Sequence, residues 1–137
     1  MTLTTPNRRF LIRLAISTTV WALSLTAARH VIGQGTTGGP LLWTLAMIPG
    51  LAMLGIFYAY GMLIIEQKDE FIRLLLIRQL IFGTGFALSF AVVWGFLESF
   101  GLVAHIYSYY FAVAWLLGWA FGAVVNKITH GAWGELS

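Results

Sequence analysis

The chain has 137 residues, 59% of them hydrophobic and only 9% charged, with a formal net charge of +3. Soluble domains carry about 25% charged residues, and four apolar stretches use up nearly the whole length, so the expectation is one integral membrane domain over 1–137. There are no cysteines, which excludes disulfides, thiolate metal sites and cysteine nucleophiles.

The first span is expected over about Phe10–Ile32. Its charge-free part, Leu14–Ala28, covers only about 22 Å at about 1.5 Å per residue, short of a hydrocarbon core of about 30 Å. Arg13 and Arg29 therefore belong at the two interfaces, stems buried and heads turned outward. Arg8, Arg9 and Arg13 ahead of an apolar run ending in Thr26-Ala27-Ala28 also fit a cleavable signal peptide, but the run is long for one. Gly33-Gln34-Gly35-Thr36-Thr37-Gly38 spells G-x-G-x-x-G. A dinucleotide fingerprint needs a strand before it, and here an apolar helix precedes, so the motif reads as a flexible loop.

The second span is expected over Leu41–Ile65, without a single charge. Pro49 lacks an N–H and crowds the carbonyl of Leu45, which predicts a kink. Glu66-Gln67-Lys68-Asp69-Glu70-Phe71-Ile72-Arg73, with Arg78 following, is the densest polar cluster. If the helix begins near Lys68, Asp69 faces Arg73 at i,i+4 and Glu70 faces it at i,i+3. Glu66, Lys68, Asp69, Glu70, Arg73 and Arg78 are the candidate charge network, either a topology signal that caps a helix or a docking site. Three bases among three acids match a partner protein better than an anionic lipid patch.

The third span is expected over about Leu74–Leu97 and the fourth over about Val103–Val125. Gly83, Ala87, Ala91 and Gly95 recur every fourth residue, as do Ala114, Gly118 and Gly122. Lipid gives no hydrophobic reward for association, so small residues that let backbones approach take over. The two stripes read as the seam of an antiparallel hairpin, with a homo-oligomer interface as the alternative. Trp43, Trp94, Tyr107, Tyr109 and Tyr110 fall at one interface as an aromatic belt. Trp115 and Trp119 lie deeper, as packing or lipid-facing residues.

Arg8, Arg9, Arg13, Lys68, Arg73, Arg78 and Lys127 fall on one side of four spans and Arg29 on the other. The positive-inside bias then predicts an all-α membrane protein, a four-transmembrane-helix bundle with both termini cytoplasmic. On the outer side lie Arg29, His30, Glu98 and His105. These are metal-ligand types in part, but their spacing fits no motif, and an Arg29–Glu98 pair is the plainer expectation. His130 has no partner in the sequence.

No Asp, Glu, Lys or Arg falls near the midplane of any span, which argues against a proton-driven exporter. A quinone-linked thiol oxidase needs cysteines, and a four-span haem cytochrome needs histidines deeper than these. No lipidation motif is present. From Glu66-Gln67-Lys68-Asp69-Glu70-Phe71-Ile72-Arg73 to Trp94-Gly95-Phe96-Leu97-Glu98, the chain resembles small uncharacterised four-span bacterial inner-membrane proteins, chiefly in the Asp-Glu-Phe-x-Arg pattern before an apolar helix. That resemblance implies a compartment and no chemistry.

The expected role is that of a non-enzymatic accessory or scaffold subunit of the inner membrane. No catalytic, cofactor or metal residue is expected. The expected partners are the lipid bilayer and a membrane protein or a second copy of the chain, with no nucleic acid. The rival class is a small oligomeric transporter or channel, with Ser17, Thr18, Thr26, Thr84, Ser89 and Ser99 as its polar path. An enzyme acting on lipid comes third.

Overall fold

A computed structural model describes residues 3–35 and 38–134. It contains four α-helices, α1 (Thr5–Gly33), α2 (Pro40–Glu66), α3 (Glu70–Ser99) and α4 (Tyr109–His130), and no strand among the described residues. All four are long and apolar enough to cross a membrane. The chain forms two compact units, Met1–Glu66 and Gln67–Ser137, each an antiparallel helical pair.

In the first unit α1 packs on α2. Pro6 sits in the first turn of α1, where a missing N–H costs nothing. α2 continues as helix through Pro49. Its buried side chains Ala52, Ile56, Ala59 and Leu63 recur at alternating steps of four and three, one stripe of a helix. Phe10 meets the edge of Tyr60 with ring centroids 5.0 Å apart. Halfway along, Gly55 faces Ser17, and a Cβ added there would lie 2.5 Å from the Ser17 Oγ. The loop motif Gly33–Gly38 is described only in part, since Thr36 and Thr37 lie outside the described residues.

The second unit is a ladder. The Asn126 amide donates to the Leu75 carbonyl at 2.8 Å. A Cβ on Gly122 would lie 2.9 Å from the Gln79 Cα, and one on Gly118 2.8 Å from the Gly83 Cα. Each rung is one turn up α3 and one turn down α4. Ala87 and Ala114, the next pair in this register, are both buried, and beyond them the Phe90 and Phe111 rings lie 5.9 Å apart.

The helix α3 closes in a Schellman turn. Gly101 takes a φ of 73°, its N–H bonds to the Glu98 carbonyl at 3.0 Å, and the Leu102 N–H bonds to the Leu97 carbonyl at 2.9 Å. The expected fourth span beginning at Val103 is corrected here, because α4 starts at Tyr109. Side chains at the end of α3 hold the intervening chain out of helix. The Trp94 indole donates to the Ala104 carbonyl at 3.1 Å, and Glu98 holds His105. The small-residue stripe therefore loses its partner at its far end. The register would place Gly95 opposite Ile106, which is not helical, and nothing lies within 4 Å of a Cβ on Gly95.

Gly118→Ala should lower the melting temperature in mild detergent, since the new methyl meets backbone 2.8 Å away and overpacking costs about 1–3 kcal/mol. Gly85→Ala, where nothing lies within 4 Å, should leave melting unchanged or raise it. Equal melting of both variants would mean that this seam is not tight.

Candidate functional site

Polar side chains gather at the two ends of the helical pairs. In the first unit the Arg13 guanidinium donates two hydrogen bonds to Glu66, at 3.0 and 2.8 Å. This is the forked geometry that suits Arg to a carboxylate. Arg9 lies 3.8 Å from the same carboxylate, and the Arg13 cation stands 5.8 Å from the centre of the Tyr58 ring. Arg13 thus turns to Glu66, and Glu66, placed by sequence with the Lys68–Arg73 cluster, belongs to the first unit and fastens the start of α1 to the end of α2. The two residues are far apart in the chain, and no local spacing announces the pair.

In the second unit Asp69 is the N-cap of α3. Its carboxylate accepts from the Phe71 N–H at 2.9 Å and the Ile72 N–H at 3.1 Å, satisfying donors that a helix start leaves open. The expected Asp69–Arg73 pair is corrected accordingly, and Arg73 pairs with Glu70. Lys68 is exposed. Arg78 bonds the His130 imidazole at 2.5 Å, and Phe71 meets the edge of the same ring.

The segment after α4 turns back towards α3. Gly131 ends α4 with a φ of 73°. Lys127 donates to the Gly131 carbonyl at 3.0 Å and stands 5.8 Å from the centre of the Trp133 ring. Gln79, 0% exposed, donates from its amide to the Trp133 carbonyl at 2.5 Å, while its Oε1 is buried with no hydrogen-bond partner among the described residues. Sequence reasoning missed Gln79 and Asn126. The available signal was two amides inside otherwise apolar helices, which must find acceptors once buried. Trp115 also has a polar partner, donating to the Thr84 hydroxyl at 3.2 Å.

At the opposite end of the second unit, Glu98 and His105 form a pair, Oε1 to Nδ1, at 2.5 Å. Their side chains are 30% and 71% exposed. Arg29 and His30 belong to the first unit, where His30 meets the Gln34 amide at 3.1 Å. Among the described residues no three His, Cys, Asp or Glu side chains come together as a metal site. Of the packing residues, Gly83, Ala87, Ala114, Gly118 and Gly122 are buried in the seam, Ala91 is half-buried and Gly95 is exposed.

No family model, no curated protein and no solved structure matches this chain.

Two outcomes are expected from this geometry. Asn126→Ala should destabilise the chain by about 0.5–1.5 kcal/mol, the net worth of one hydrogen bond, seen as a lower melting point in detergent. Arg13→Gln and Glu66→Gln should each lower it too, and the double variant should lose less than the two losses added. Strict additivity would mean that the two side chains do not act together.

Proposed function

We propose that this chain is an integral protein of the bacterial inner membrane, crossing it with its four helices and keeping both termini in the cytoplasm. It serves there as a non-enzymatic accessory or scaffold subunit. The observation that carries this reading is the disposition of polar and apolar side chains. Large apolar residues such as Leu23, Leu54, Leu88 and Phe121 face outward along the helices. The polar groups tie each helical pair to itself, through Arg13–Glu66, Asn126–Leu75, Gln79–Trp133 and Trp115–Thr84. A surface of that kind suits lipid and other helices as its neighbours.

The cytoplasmic orientation rests on the basic residues. Within the first unit Arg8, Arg9 and Arg13 lie at the Glu66 end, and within the second Arg73, Arg78 and Lys127 lie at the end that carries His130. Gathering bases on one side of short connections is how such proteins are oriented. Lys68, Glu70 and Arg73 there offer a solvated charged edge to a partner protein. The transporter reading is less well supported, because within its polar path the hydroxyls of Thr26 and Ser99 bond carbonyls of their own helix, both at 2.8 Å.

A reporter fused to the C terminus should be active in the cytoplasm, and one inserted into the Gly33–Pro40 connection active on the far side. The reverse pattern would overturn the orientation. Purification in mild detergent should retain co-purifying proteins with the wild type. Arg73→Ala should reduce them and weaken the salt dependence of their retention, with melting nearly unchanged because exposed pairs contribute only about 0.2–1 kcal/mol. Identical partners and salt dependence would remove this edge as a docking site.

A further inference from the structure

The end of the second unit that carries Glu98 and His105 holds an open cavity of about 390 Å³. Glu98, Ser99, His105 and Ser108 line its polar part, and Ala91, Gly95 and Phe111 belong to its apolar wall. A shallower groove continues from it along α3, sharing Ala91, Gly95 and Ser99 and adding Val92 and Phe96. The space exists because the small-residue stripe outlasts its partner. Ala91 and Gly95 keep the profile of a helix seam, but α4 begins only at Tyr109, so α4 does not fill the slot beside them.

The chemistry of the lining selects a ligand. Glu98 gives one carboxylate oxygen to His105, and its other oxygen has no partner among the described residues. No Arg or Lys lines the cavity. The Glu98 carboxylate shares this lining with an aromatic side chain, Phe111, and an apolar groove adjoins it. A carboxylate and an aromatic side chain together favour an organic cation, and the groove favours a chain attached to it. An anionic phosphate would meet the Glu98 carboxylate in a lining without Arg or Lys, which disfavours the headgroup of a zwitterionic phospholipid.

We propose that this cavity binds a simple ammonium amphiphile, its cationic head at Glu98 and His105 and its alkyl chain along Ala91 and Gly95. The site is independent of the accessory-subunit reading and stands or falls separately from it.

The test is equilibrium dialysis of radiolabelled dodecyltrimethylammonium against the full chain in maltoside micelles, with empty micelles as background. Saturable binding is expected. Glu98→Gln keeps the shape and an acceptor for His105 but removes the charge, and it should weaken binding about tenfold or more, the worth of one charge-assisted contact. Gly95→Leu fills open space, so it should retain the wild-type melting temperature while binding weakens by a similar factor. Glu70→Gln, an acid at the other end of α3, should bind as the wild type does. Lysophosphatidylethanolamine should displace the probe poorly. Absence of saturable binding, wild-type affinity in Glu98→Gln, or equal displacement by the phospholipid would each overturn the proposal.

Discussion

A side chain added at Gly118 would run into the α-carbon of Gly83 at 2.8 Å, and the second unit depends on that near-contact between two backbones. Where no water is available to drive association, two helices gain from each other only by dispersion and hydrogen bonding. Both terms fall off within a fraction of an ångström of ideal contact. Glycine at both positions brings the axes close. Closeness along this seam then lets the Asn126 side chain reach the Leu75 carbonyl, and it leaves Trp119, 1% exposed, enclosed beside the seam. The rungs from Leu75–Asn126 to Phe90–Phe111 follow from this one register.

The first unit is held differently. Among its described glycines Gly55 alone would press a Cβ on a neighbour, Ser17, and at its open end the Arg13–Glu66 fork joins the helices. The ion pair joins the start of α1 to the end of α2.

The two ends of the second unit are chemically unlike. At one, Gln79 of α3 holds the chain after α4, Arg78 of α3 holds His130 at the end of α4, and Lys127 donates to Gly131. At the other, the Schellman turn at Gly101 and the late start of α4 leave a carboxylate and an imidazole beside an unfilled slot. The first arrangement closes the helix pair, and the second leaves room for a ligand. A late helix start is thus the geometric origin of the cavity, and the indole of Trp94, by holding the Ala104 carbonyl, helps keep it late.

Four helices, the approximate limits of the first three and the small faces of α3 and α4 were legible from the residues alone, because hydrophobic run length and four-residue spacing are local properties of the chain. The acidic start of α3 was legible too, with Glu70 pairing with Arg73 at the i,i+3 spacing expected, though Asp69 proved to cap backbone N–H groups. What the sequence could not determine were the pairings between distant positions, Arg13 with Glu66, Arg78 with His130 and Asn126 with Leu75. Each depends on the register of one helix against another, and a one-turn slip would replace every partner without changing the apolar pattern. Nor could the sequence show where the seam ends. Gly95 carries the same spacing as Gly83, and only the tertiary path of residues 101–108, turned by Gly101 and held by Trp94 and Glu98, decides that one is packed against a backbone and the other left open.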